Sequence, residues 1–124
     1  MLTDKYRPVI EAASKLGIKN LQTTDAGGKI NISGIAPFQL DKDHLWDKIR
    51  MIGGWDKEVT ADIKVERTDI YGYYTVQPGD TLSKLAKGHL GDPRRYMEIF
   101  SLNKNILSAP DLIRVGQKIQ LPRK

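Results

Sequence analysis

Apolar positions in the first half of the chain switch between two periods. From Lys5 to Leu16, the residues Val9, Ala13 and Leu16 fall at helical spacing, Pro8 sits where a first turn tolerates it, and Gly17 stands as a C-terminal stop. Leu21 and Thr23 then open an extended segment. Asp25, Ala26, Gly27 and Gly28 supply turn residues, and Ile30 and Ile32 alternate with Asn31 and Ser33, which predicts a hairpin. From Asp41 the pattern returns to helix, with Leu45, Ile49 and Ile52 on one face and Gly53 and Gly54 ending it. Val59, Ala61, Ile63 and Val65 alternate strictly with Thr60, Asp62, Lys64 and Glu66, the clearest strand in the chain. The order helix, strand, strand, helix, strand predicts an open α+β sandwich, two helices covering one face of a three-stranded sheet.

Residues 67–73 break both periods and read as a short linker between a domain at 1–66 and another at 74–124. The second domain opens with a strand at Tyr74, Thr75 and Val76, followed by a turn at Gln77–Asp80. Asp80 is placed to cap a helix whose apolar face is Leu82, Leu85 and Ala86, with Gly88 as its end. Asp92 followed by Pro93 is a second start signal, and Tyr96, Ile99 and Phe100 form the stripe expected in the core. Asn103 and Asn105 punctuate the end of that helix. Turns at Pro110–Asp111 and Val115–Gln117 precede a closing strand with Ile119 and Leu121, which Pro122 terminates. The predicted order is β-α-α-β.

Two resemblances follow. The Lys29–Gly34 strand, the amphipathic helix after it and the final Val59–Val65 strand make residues 6–66 resemble a BON domain, which implies the α-β-β-α-β open sandwich already read from periodicity. Tyr74, Thr75 and Val76, then Gly79, Asp80, Thr81 and Leu82, then Asn103, Pro110, Asp111, Ile113, Gly116, Gln117 and the Ile119–Pro122 strand make residues 73–122 resemble the LysM family. That second resemblance implies a shallow groove for N-acetylglucosamine polymers, peptidoglycan among them. Carried onto this chain, its walls are Gly79, Asp80, Thr81 and Leu82 on one side. Leu107, Ser108, Ala109, Pro110, Asp111, Leu112 and Ile113 form the other. An N-acetyl group offers one amide donor, one acceptor and a methyl, which loop backbone and an apolar side chain can match together. Asp80 and Asp92 serve first as helix caps, Leu82, Ile113 and Tyr96 are expected in the core, and Leu112 is the better exposed apolar contact. Trp46 and Trp55 are expected to be buried rather than to stack on sugar.

The BON-then-LysM order is also similar to that of small bacterial proteins that bind potassium in the cytoplasm. That likeness implies an alternative ligand, a potassium ion held or sensed through backbone carbonyls, with the turn Ile52, Gly53, Gly54 and Trp55 as the expected position. A further alternative is a structural adaptor or envelope-associated scaffold, since both families occur in such settings.

Composition narrows the classes without choosing among the ligands. The 124 residues suit one ordinary domain or two very small ones, 40% of them are hydrophobic, and no run of about 18 apolar residues is present to span a bilayer. Cysteine is absent, which removes disulfides and thiolate metal sites. Met1–Pro8 has no apolar core of a secretory signal, which predicts a cytoplasmic protein, or one of the cell envelope if the natural N-terminus is longer. Net charge is +5, with 9 basic against 5 acidic residues from 69 onward, a balance compatible with anionic partners or with a solvated surface. His44 and His89 lack partners at metal-ligand spacing and read as surface residues, and Gly27–Gly28 is a turn rather than a phosphate loop. No catalytic constellation is visible, so a non-enzymatic monomer is expected, with no nucleic-acid partner and no cofactor other than potassium.

Overall fold

A computed structural model describes residues 2–123, which divide into two compact units, one ending at Arg67 and the other beginning at Thr68. The fold is α+β, as the periodicity predicts.

In the first unit, α1 (Leu2–Lys5) and α2 (Arg7–Lys15) replace the single helix expected from Lys5 to Leu16. The break falls at Tyr6, whose backbone leaves helical geometry at ψ 13° just before Pro8 enters the first turn of α2. A proline has no N–H to give the preceding turn, so the helix restarts instead of continuing. Strands β1 (Lys19–Ala26) and β2 (Lys29–Phe38) form an antiparallel hairpin in which Ala26 faces Lys29 across Gly27 and Gly28. Both glycines have positive φ, 63° and 75°, the geometry that a tight two-residue turn between twisted strands demands.

Helix α3 (Gln39–Arg50) begins two residues before the expected Asp41. Asp41 instead caps it from inside, accepting from the Phe38 amide at 3.2 Å. A short α4 (Trp55–Glu58) leads into β3 (Val59–Arg67), which pairs parallel to β2. The sheet order is β1-β2-β3. Tyr6, Val9 and Ala13 from the helical side, Leu45 and Ile49 from α3, and Ile30, Ile32, Ala36 and Ile63 from the sheet are all buried in one core. Trp46 and Trp55 pack against it as an edge-to-face pair, ring centres 6.0 Å apart.

In the second unit, β4 (Gly72–Thr75) and β5 (Lys118–Leu121) pair antiparallel, with Tyr74 opposite Ile119. Arg67 therefore closes β3, and Gly72 and Tyr73 open β4, so only 68–71 of the expected linker lies between strands. Helix α5 (Leu82–Leu85) continues into a π-helical turn at Ala86–Leu90, and a 3₁₀ turn at Pro93–Arg95 leads into α6 (Tyr96–Leu102). Gly88 does not stop the first helix. The left-handed residue that ends it is Gly91, at φ 79°, because the π turn takes up extra residues before the chain can leave. Val76, Leu82, Leu85, Ala86, Ile99, Leu107, Ile119 and Leu121 are buried. Among the described residues, no helix is long and apolar enough to cross a membrane.

Candidate functional site

The loop after β4 is held by its own side chains. Asp80 does not cap α5 as expected: its Oδ2 accepts from the Gln77 amide at 2.7 Å and from the Tyr74 hydroxyl at 2.6 Å, which closes the Gln77–Asp80 turn onto the strand. These two bonds, the tyrosine's first, hold the Asp80 carboxyl below its usual range. Burial, and then the bond to Asp80, push the Tyr74 phenol up to about 12. The cap passes to Thr81, whose Oγ1 accepts from the Lys84 amide at 3.1 Å. Asp92 caps as predicted, accepting from the Arg94 amide at 2.9 Å.

That loop meets the one before β5 around a concavity of about 270 Å³ lined by Asp80, Thr81, Leu82, Ser83, Tyr96, Pro110, Asp111 and Ile113. Six of the residues the family likeness singles out are thus brought together. The others lie elsewhere. Gly79, at φ 85°, shapes the turn and offers its carbonyl to Lys84 Nζ at 3.3 Å. Leu107 is only 2% exposed and belongs to the core. Ser108 is exposed, and Ala109 accepts from the Leu112 amide at 3.2 Å, which turns the loop. Leu112 is 55% exposed but outside the concavity.

Sequence reasoning missed Ser83 and Tyr96. Tyr96 counts as core by spacing, yet it is 38% exposed. As the first residue of α6, its side chain leans toward the helix start and out over the loops. The groove therefore combines three hydroxyls, one aromatic ring, apolar Leu82, Pro110 and Ile113, and the exposed Asp111 carboxylate. Such a surface suits a neutral polar ligand with small apolar groups.

The second expected position is the turn before α4. Gly54 adopts φ 90° and precedes Trp55. The Ile52 carbonyl accepts from the Trp55 amide, the Gly54 carbonyl from the Lys57 and Glu58 amides, and the Trp55 carbonyl from the Val59 amide. Three of the four carbonyls are therefore already committed to one or more backbone bonds. Beside them, Glu58 Oε1 accepts from Lys5 Nζ at 2.6 Å and from the Tyr6 hydroxyl at 2.9 Å. Those two bonds hold the Glu58 carboxyl below its ordinary range. Burial first, then Glu58, pushes the Tyr6 phenol up to about 12. Among the described residues, no group of three or more His, Asp and Glu side chains is arranged to hold a metal. His44 is exposed, whereas His89 is half-buried, with its ring centre 5.3 Å from that of Tyr74.

Residues 74–122 match the family described as LysM domain, so the second unit, with its β4–β5 ladder and looped groove, is a LysM domain. The likeness extends beyond that module. Over 129 aligned residues, 98% of this chain and 83% of the relative, the sequence is 31% identical to the potassium binding protein Kbp of Escherichia coli O6:H1 strain CFT073, and the chain belongs to the family of that protein. It is also 49% identical over 66 residues to an uncharacterized protein of Deinococcus radiodurans strain R1, a stretch covering 53% of this chain and 24% of that one.

Proposed function

We propose that the protein acts by binding rather than by catalysis, and that its ligand is the potassium ion. The observation that carries this reading is the reach of one likeness. A relative named for potassium binding is matched across both units, whereas the LysM match accounts for residues 74–122 alone. A protein kept as a pair of units has a use for the pair, and a glycan groove needs only the second. Potassium exchanges its hydration shell for a set of oxygens. In the first unit the Glu58 carboxylate and the Tyr6 hydroxyl, 2.9 Å apart beside Gly54, are two such oxygens. The test is calorimetry and thermal melting of the full chain in potassium and sodium chloride at equal ionic strength. Heat release and a raised midpoint specific to potassium support the reading, and identical behaviour in the two salts overturns it.

A second reading, recognition of N-acetylglucosamine glycan such as peptidoglycan, is supported by the concavity that gathers Thr81, Leu82, Pro110, Asp111 and Ile113. Retention on insoluble peptidoglycan, reduced by Thr81→Ala, would support it, and free passage of the unsubstituted protein would end it. Fractionation of cells bears on both, because mature wall polymer is accessible only outside the cytoplasm.

A further inference from the structure

Helices α2 and α3 lie side by side over the sheet of the first unit, burying Val9 and Ala13 from one and Leu45 and Ile49 from the other. Between the faces turned away from that core runs a furrow of about 390 Å³. Its apolar surface comes from Ala12 and Leu16 at the end of α2 and from Met51 at the cap of α3. His44, Asp47, Lys48 and Met51 follow one another at spacings of three and four, so a single face of α3 forms one wall. At 1.5 Å per residue that wall is about 10 Å long, and a volume of this size over that length is one alkyl chain wide. Met51 is 76% exposed, the most of any large apolar side chain among the described residues. Methionine is unbranched and polarizable, a side chain that reshapes itself around an apolar guest.

Electrostatics select the sign of that guest. Among the described residues, the Lys15 and Lys48 ammoniums on the furrow pair with no carboxylate, although Lys5, Arg7 and Lys19 of the same unit each do. The one carboxylate of the furrow, Asp47, lies 3.4 Å from Arg50 Nη1, which offsets its charge. The methylene stems of the two lysines extend the apolar walls while their charged ends stay in water. Two unpaired ammoniums at the rim of an apolar trough attract a carboxylate on an alkyl chain and repel an alkylammonium.

We propose that this furrow binds a free single-chain carboxylate of medium length, its chain lying on Ala12, Leu16 and Met51 and its headgroup between Lys15 and Lys48. A partner helix, about 10–12 Å across with its side chains, is too broad for it, and a lipid with two chains exceeds its width. The site is independent of the potassium reading and of the LysM groove.

The test is calorimetric titration of the full chain with sodium decanoate below its micelle-forming concentration, with amide NMR shifts to locate the contact. Decanoate should bind and shift Ala12, Leu16, Lys48 and Met51. Octanoate, shorter by two methylenes, should bind about tenfold more weakly. Decyltrimethylammonium, with the same chain and the opposite charge, should not bind. Lys15→Gln combined with Lys48→Gln should weaken decanoate about tenfold, the loss of two exposed charge contacts. Ala12→Met, which fills the trough with a good helix former, should abolish binding. Circular dichroism melts establish that each variant is folded, and Ala12→Leu replaces Ala12→Met if that variant is not. Absence of decanoate binding, equal binding of the cationic amphiphile, shifts confined to other residues, or undiminished binding in either the charge-neutral or the filled variant overturns the inference. Capture on phosphatidylglycerol vesicles without decanoate binding also overturns it, and assigns the face to a membrane surface. Each of these outcomes leaves the potassium reading standing.

Discussion

Asn103 is bonded to both backbone groups of Gln120: its Oδ1 accepts from the Gln120 amide and its Nδ2 donates to the Gln120 carbonyl, each at 2.8 Å. The same Nδ2 also donates to the Ile99 carbonyl at 2.7 Å. Asn103 is 1% exposed, so it stands beside β5 as a third strand would, and ties the end of α6 to the ladder. Asn103→Leu leaves buried backbone groups without partners, at a cost of about 1–3 kcal/mol for each unmet group. Urea unfolding should show a loss of about 3 kcal/mol or more on the same basis. A loss below about 1 kcal/mol would mean that water replaces the amide there.

Asp80 gives the LysM unit an acid-sensitive turn. Its pKa is depressed in the folded state, so its contribution is complete above the unfolded value of about 4 and drains away as pH falls below it. Asp80→Asn should flatten the acid limb of a stability-versus-pH curve and lower stability at neutral pH. An acid limb identical to that of the unsubstituted protein would show that Glu58, Asp92 and Glu98, which are depressed in the same direction, carry it instead.

Two tyrosines should titrate late. Tyr6 and Tyr74 are both raised to about 12, so their contribution is full below the unfolded value of about 10 and is lost as pH rises from 10 to 12. Ultraviolet titration of the phenols should show a late component, part of which disappears in Tyr74→Phe. If Tyr74→Phe removes an early group instead, the bond to Asp80 does not persist in solution.

Gly34 marks where β2 passes close to the chain entering β1. A Cβ on Gly34 would lie 2.5 Å from Ile18 Cγ2, far inside van der Waals contact. Gly34→Ala should destabilise the first unit by about 1–3 kcal/mol through overpacking. The double change Gly34→Ala with Ile18→Leu, which removes the β-branched Cγ2 methyl, should recover part of that loss. Thermal melts that fail to separate the single from the double variant would place the strain elsewhere.

Tyr96 distinguishes the two ligand readings. At 38% exposure on the groove it contributes little to the core, so Tyr96→Ala should leave potassium binding unchanged. If the groove reads glycan, the same change should weaken retention on peptidoglycan by about tenfold, the effect of losing one aromatic contact worth about 1.5 kcal/mol.

The alternation from Val59 to Glu66 and the helical stripe of Leu45 and Ile49 were enough to specify a sheet covered by helices, because a period of two or of 3.6 leaves only one way to bury an apolar face. The hairpin at Gly27–Gly28 was legible for the same local reason, and the LysM loops were legible through turn residues that sit in order along the chain. Local rules ran out where two segments compete for the same role. Asp80 and Thr81 are both helix caps by type, and only the nearness of Tyr74 across the turn assigned the carboxylate to the strand and left the cap to Thr81. Gly88 and Gly91 are both stops by type, and the π turn decided between them. Tyr96 fits a core stripe by spacing, and the position of the loop before β5 put it on the groove instead. The Lys5–Glu58 pair spans most of the first unit, so no window of sequence contains it. Long-range partners are set by how helices and strands close on one another, and that is information carried only by the folded chain.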